Sequence, residues 1–293
     1  MRKPDWLKVS APRSPGYLAV HGLLRRQRLQ TVCAAAACPN RGQCWEEGTA
    51  AFLILGGICT RRCAFCAVPT GRPEPVDGDE PRRLAATVQA LRLRHVVITS
   101  VDRDDLADGG AAHFAACIQA VRDGTVEGWA TPTVEVLPPD FRGKGDAVQT
   151  VLAAAPTVFN HNMETVARLQ RAVRPSAGYH RSLTVLARSV AAGLTTKSGM
   201  MVGLGESADE IEEVLVDLAS VGVSIATIGQ YLRPTAQHLP VARYWEPAEF
   251  DDLAERGRRA GLAHVQSSPL TRSSYHAREA LSDATPLALP SRR

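Results

Sequence analysis

Apolar residues recur along this chain in two alternating rhythms. Short runs at 51–55, 95–99, 133–137, 158–160, 196–203, 224–231 and 263–266 are bounded by turn formers and read as strands. Between them apolar positions repeat every three or four residues. Leu84, Val88 and Leu91 mark one helical face, as do residues 111–122 and 147–154. Met163, Val166, Leu169 and Val173 predict another helix, then Leu183, Leu186, Ala187 and Val190. Ile211, Val214, Leu215 and Leu218 repeat the pattern, and residues 247–260 close it. Repeated strand–helix units build a parallel sheet with right-handed crossovers. About six such units fit, so the expected fold class is α/β, a partial (β/α)6 TIM-type barrel with N-terminal and C-terminal extensions. The expected division is 1–50 as an N-terminal extension, 51–266 as the barrel and 267–293 as a C-terminal extension.

The rhythm is weak before residue 51. Residues 1–32 read as an extended arm and a short helix over 17–29. Residues 33–50, with Pro39, Asn40 and Gly42, read as loop. The tail after Ala280 reads as loosely ordered.

Composition narrows the class. Of 293 residues, 45% are hydrophobic and only 5% aromatic, which predicts a large and mostly aliphatic core. The net charge is +4, with no long basic patch, which disfavours nucleic acid as a partner. The first residues hold no apolar leader and no run is long enough to span a bilayer, so a cytoplasmic protein is expected. Cysteines stay reduced there. Six of the seven cysteines fall within residues 33–66, which argues for metal and against disulfides.

Cys59, Cys63 and Cys66 have the spacing C-x3-C-x2-C and follow the first barrel strand directly. Three thiolates can hold three irons of a [4Fe-4S] cubane, leaving one iron open for substrate chemistry. The alternative is a zinc site, which prefers paired C-x2-C knuckles. Upstream, Cys33, Cys38 and Cys44 give C-x4-C-x5-C, which suits either a second cluster or a zinc loop.

With Phe65 before its last cysteine, the first motif resembles that of the radical S-adenosylmethionine enzymes. The two trios together resemble the lipoyl synthase family. The likeness extends to Leu55-Gly56-Gly57-Ile58, Ile98-Thr99-Ser100-Val101-Asp102-Arg103-Asp104-Asp105-Leu106, Phe159-Asn160-His161-Asn162-Met163-Glu164-Thr165, Lys197-Ser198-Gly199 and Arg272-Ser273-Ser274-Tyr275-His276. Ala64 and Ala67 depart from the commoner Pro and Asp, at positions that ligate nothing.

The resemblance implies that S-adenosylmethionine chelates the open iron and is cleaved to a 5′-deoxyadenosyl radical. It implies two [4Fe-4S] clusters, the second on Cys33, Cys38, Cys44 and a serine, Ser274 rather than Ser273, and spent as sulfur donor. It implies a radical sulfurtransferase placing two sulfurs at C6 and C8 of a protein-bound octanoyl-lysine. The carriers would be octanoylated lipoyl domains, the glycine cleavage H protein or the E2 domains of 2-oxoacid dehydrogenases. A ferredoxin or flavodoxin would supply electrons, and an iron–sulfur carrier would rebuild the spent cluster.

For the cosubstrate, the strand ends offer Thr99, Ser100 and Asp102 after one strand and Asn160, Asn162 and Glu164 after another, with Arg174 or Lys197 to meet a carboxylate. Glu164 reads equally as a first-turn acid favouring a helix dipole, and Asp102 as a loop cap. Cys117 reads as a buried structural thiol beside Phe114. Gly203-Leu204-Gly205-Glu206 lacks the third glycine of a dinucleotide fingerprint and reads as a strand-to-helix turn. His161, His180 and His276 share no ligand spacing. Arg25, Arg26 and Arg28 form a basic face, either solvated or a dock for an acidic carrier domain.

Overall fold

The computed structural model describes residues 2–9, 14–36, 38–46, 49–124 and 128–274. Among the described residues eight strands form one sheet in chain order: β1 (Gln30–Thr31), β2 (Thr49–Ile54), β3 (His95–Ser100), β4 (Thr133–Leu137), β5 (Val158–Asn160), β6 (Thr195–Val202), β7 (Ile225–Gln230) and β8 (His264–Ser268). β2 to β8 are parallel; β1 runs antiparallel on the outer edge of β2, with Thr31 opposite Phe52. The sheet does not close, since β1 and β8 remain its two edges. Six strand–helix units followed by a seventh parallel strand match the expected partial barrel.

The helices are α1 (Pro15–Arg26), α2 (Val32–Ala35), α3 (Arg41–Glu46), α4 (Glu80–Ala90), α5 (Ala111–Asp123), α6 (Gly145–Ala153), α7 (Gln170–Val173), α8 (Tyr179–Ala191), α9 (Ala208–Ser220) and α10 (Pro247–Arg259). Helix starts are written locally. Ser207 and Glu210 close a capping box at α9, and Glu246 and Glu249 do the same at α10, where Pro247 takes the first position. The turn Gly203–Gly205 lies between β6 and α9, as its composition suggests. Gly203 has φ +102°, and a side chain there would collide with the carbonyl of Arg243.

Two expectations fail. Residues 33–50 are not simply loop: α2 and α3 form there, and β2 begins at Thr49. Their stabilisation is tertiary. Cys33, Cys44 and Trp45 are buried in the same core as Tyr17, Val20 and the residues of β2, which a single short turn cannot signal in sequence. Conversely, the helix expected from Met163 begins only after Val166. Glu164 sits at φ +66°, its N–H donating to Gly199 O and its carbonyl accepting from Met201 N–H. Pairing with β6 wins over helical periodicity, and Met163 and Val166 are buried by it.

Cys117 and Phe114 are fully buried in α5. Arg25 and Arg26 occupy the exposed last turn of α1, where they complement the helix dipole. His180 is exposed, whereas His161 is buried at the end of β5. Tyr275, His276 and the tail after Ala280 lie outside the described residues. Among the described residues no helix is long and apolar enough to cross a membrane.

Candidate active site

The loop carrying Cys59, Cys63 and Cys66 leaves β2 at the C-terminal end of the sheet. Leu55 at φ +67° and Gly56 at φ +93° turn it inward. It closes on itself through Cys59 N–H to Pro69 O and Gly71 N–H to Cys59 O. Four other strand ends then hold it. After β3, Asp102 O accepts from Thr60 N–H and Oγ1. Beyond β5, Val173 O accepts from Ala64 N–H. After β7, Leu239 N–H donates to Ala64 O and His238 Nε2 to Cys66 O at 3.0 Å. The fourth strand end, after β4, reaches the loop through Arg61.

Arg61 is the residue that motif reading passed over. Its guanidinium is buried among three carboxylates, at 2.7 Å from Asp104, 2.7 Å from Asp140 and 3.2 Å from Asp102. Burial works against its charge, but the three acids outweigh that and hold its pKa above the ordinary range. Arg181 and Arg142 add further cations to Asp140 and Asp104. Only the tertiary fold brings these loops together, so spacing could not reveal the node.

The node bears directly on Cys59. The backbone N–H groups of Arg61 and Asp102 point at Cys59 Sγ from 3.4 and 3.3 Å. Such bonds are one of the levers that tune iron–sulfur sites. Asp102 Oδ2 lies 3.6 Å from the same sulfur, and burial raises the Asp102 carboxyl despite Arg61. Burial pushes the thiols up, to about 11 at Cys59 and about 12 at Cys63, and upward at Cys66. Without metal they hold their protons at neutral pH; binding iron must release them.

The three cysteines line a cavity of about 920 Å³ with Thr99, Ser100, Asp102, His161, Asn162, Glu164 and Arg174. Most of the predicted cosubstrate residues therefore meet at one place. Thr99 Oγ1 is committed to Leu137 O at 2.8 Å. Arg174 Nη1 donates to Asn162 O at 2.8 Å and stands beside Glu164, whose carboxyl burial pushes up. Ser100 Oγ and Asn162 Oδ1 are buried with no hydrogen-bond partner, while Asp102 Oδ1 faces the Arg61 guanidinium at 3.2 Å. Unsatisfied polar atoms lining a cavity mark places for a polar ligand.

Lys197 is a correction. It does not line this cavity. Fully buried on β6, its Nζ lies 3.1 Å from Glu135 Oε1, which also accepts from Asn160 Nδ2 at 3.0 Å. Burial opposes the Glu135 charge, but Lys197 and His95 outweigh it and hold that carboxyl below its usual range. The carboxylate Lys197 meets is internal. Interior side chains of alternate strands, here β4 and β6 on either side of β5, meet in one layer of the barrel, so a lysine there is met by the barrel's own acid.

The second trio lies close by. Cys33 and Cys44 are buried and Cys38 is half-buried; none of the seven cysteines is in a disulfide. Burial raises Cys33 to about 11, with Cys38 adding to the effect. Asn40 Nδ2 donates to Leu270 O at 2.7 Å, tying this segment to the chain 230 residues downstream. There a second cavity of about 1000 Å³ opens, lined by Ala36, Pro39, Met200, Met201, Tyr231, Leu232, Arg272 and Ser273. It shares Val32, Phe65, Cys66, Val68, Leu137, Asn162 and Glu164 with the first. Ser274 follows at the last described position.

The donor set suits iron–sulfur groups. Buried thiols, backbone N–H groups aimed at sulfur and apolar walls are what such clusters require. Among the described residues no three His, Cys, Asp or Glu side chains converge as ligands of one ion would. Thiolates that each bind a different iron stand further apart.

Comparison with known proteins agrees with this chemistry. The model of the radical SAM superfamily matches residues 53–218. The chain is 56% identical over 280 residues to a lipoyl synthase of Methylococcus capsulatus, covering 94% of this chain and 86% of the relative. It is 54% identical over 279 residues to a lipoyl synthase of Nitrosococcus oceani, covering 94% of this chain and 85% of the relative. Streptococcus suis SuiB, solved bound to S-adenosylmethionine, superposes with a TM-score of 0.58 at 11% identity, over 81% of this chain and 57% of that one. That likeness is one of fold.

Proposed function

The chain belongs to the lipoyl synthase family of the radical S-adenosylmethionine superfamily, and on that premise we propose how its residues divide the work. The reaction is the insertion of two sulfur atoms, at C6 and C8, into an octanoyl chain borne by a carrier protein's lysine. An unactivated C–H bond gives acid–base groups no foothold, so the chemistry is radical. When bound, a reduced [4Fe-4S] cluster supplies the electron that cleaves S-adenosylmethionine, and a second cluster supplies the sulfur.

Cys59, Cys63 and Cys66 hold the first cluster. Arg174 receives the cosubstrate carboxylate, and the unpartnered oxygens of Ser100 and Asn162 accept its amino and hydroxyl hydrogens, with the Asp102 carboxylate beside them. Thr99, already donating to Leu137 O, offers only lone pairs. Phe65, Val68, Leu137 and Pro138 exclude water, which keeps a carbon radical from side reactions. The apolar wall of Met200, Met201, Tyr231 and Leu232 takes the octanoyl arm. Cys33, Cys38 and Cys44 hold the second cluster, with Ser274 as its fourth ligand. Partners this division calls for are octanoylated lipoyl domains, a ferredoxin or flavodoxin and an iron–sulfur carrier, all in a reducing cytoplasm.

The observation that carries the proposal is the shared wall: Phe65, Cys66, Asn162 and Glu164 line both cavities, so a cosubstrate held in one would adjoin an arm held in the other. The test is Ser274→Ala in reconstituted enzyme. The expected result is retained S-adenosylmethionine cleavage with loss of lipoyl product. Unchanged product yield refutes the serine's role, and absence of cleavage by the reduced wild type refutes the enzyme reading outright.

A further inference from the structure

Where a guanidinium is drawn beneath the surface of this chain, acids usually meet it. Arg61 meets three carboxylates, Arg83 meets Asp77 and Asp79, and Arg103 meets Asp105. Arg272 meets none among the described residues. It is half-buried, and its open part lines the second cavity. Its Nη1 donates to the carbonyl of Thr271 at 2.6 Å. The same cavity is lined by Ala36 and Pro39, which flank Cys38 in the chain. Drawing a cation out of water without an anion is costly, and one that lines a cavity is open to an anion bound there.

Its position is built. Gly229 ends the side-chain wall of β7: a Cβ there would lie 2.0 Å from Thr271 O, so only glycine lets the following strap cross the strand. Gln230 N–H donates to Pro269 O, and Asn40 donates to Leu270 O. These bonds fix the residues just before Arg272 against the segment that carries Cys38. Two distant parts of the chain are pinned so that Arg272 lines one cavity with Ala36 and Pro39, the neighbours of Cys38 in the chain.

We propose that Arg272 is the counter-cation of an anionic iron–sulfur group held by Cys33, Cys38 and Cys44. The proposal rests on the two-cluster reading above and adds a binding residue to it. A cubane held by thiolates is a net anion, and its potential follows the charge around it. The other occupants expected nearby do not need Arg272. An octanoyl arm is neutral where it lies in the cavity, and a cosubstrate carboxylate has Arg174 in the first cavity. Arg272 therefore lowers the energy of the loaded site and raises that of the empty one.

The full chain is reconstituted as wild type, Arg272→Lys and Arg272→Gln, with iron, acid-labile sulfide, cluster potentials and the melting temperature of the metal-free protein measured on each. Wild type is expected to hold about eight irons, two four-iron clusters. Arg272→Gln should fall toward about four while still cleaving S-adenosylmethionine with dithionite, because only the second site is touched. Any second cluster it retains should show a midpoint potential shifted negative. Arg272→Lys, which keeps the charge, should stay near wild type in iron count. The metal-free Arg272→Gln protein should melt at or above the wild-type temperature, since an unanswered cation is gone. Wild-type iron content with an unshifted potential in Arg272→Gln overturns the proposal. So does a metal-free variant that melts well below wild type, which would make the arginine a structural strut. A wild type that holds only about four irons overturns the two-cluster reading itself.

Discussion

The two cysteine trios stand in neighbouring walls yet are held by opposite means. The loop of Cys59, Cys63 and Cys66 is fastened by buried charge: one guanidinium, three carboxylates and hydrogen bonds from the ends of several strands. The segment of Cys33, Cys38 and Cys44 is fastened by packing. Tyr17 stacks on Trp45 at 5.0 Å, Arg41 lies over both rings, and the Asn40 side chain bonds to Leu270 far down the chain. A charge node tolerates little loss, because each partner removed strands the others in low dielectric. Packing yields by degrees. The first site is built as a fixed unit; the second depends on two chain ends meeting over β7.

Arg61→Met should break the comparison at its strong side. Leaving Asp104, Asp140 and Asp102 without their shared cation should cost about 3–5 kcal/mol and abolish S-adenosylmethionine cleavage, as read by denaturant unfolding and product assay. Lys197→Met should cost a similar amount, about 3–5 kcal/mol, by stranding Glu135. If Lys197 instead bound the cosubstrate, the variant would keep wild-type stability and lose only affinity. The double variant Lys197→Met with Glu135→Leu should recover much of the loss, which separates an internal pair from a ligand-binding lysine.

His161 gives a milder and pH-dependent test. Its ring is buried between Pro138 O and Ser182 Oγ, at 3.0 Å from each. Burial, and then Arg174, pushes its pKa down from 6.5 to about 4. The unfolded chain therefore binds the proton more readily between those values, and stability must fall as pH drops from about 6.5 to about 4. The full effect is about 3 kcal/mol, and it should be absent from the pH profile of a His161→Gln variant.

The smallest effect is expected at the weak side. Asn40→Ala removes one bond between the two chain ends, worth about 1 kcal/mol. Iron at the second site should drop while S-adenosylmethionine cleavage holds. Equal loss at both sites would show that the two are fastened as one unit after all.

Much of this was legible without a structure. Alternating apolar rhythms predict the strand–helix repeat because each element must bury one face, and that periodicity is local. The order β2 to β8, the placing of Cys59 after the first barrel strand and the meeting of Asp102, Asn162, Glu164 and Arg174 at one end follow from parallel topology. The short helices beside Cys33 and Cys44 were not legible. Too short to stand alone, they exist because α1 and β2 cover them.

By itself, the sequence determined which residue types are available and in which loops: two thiol trios, a downstream arginine and serine, and acids at the strand ends. Only the tertiary structure decided which of them pair. Lys197 and Arg174 look alike as candidates for a carboxylate, yet one faces Glu135 inside the sheet and the other lines the cavity. Arg61 and Arg272 are both arginines next to ligand motifs, yet one is answered by three acids and the other by none among the described residues. Charge in a low-dielectric interior is settled by distances of a few ångströms between residues far apart in the chain, and spacing along a sequence carries no record of those distances.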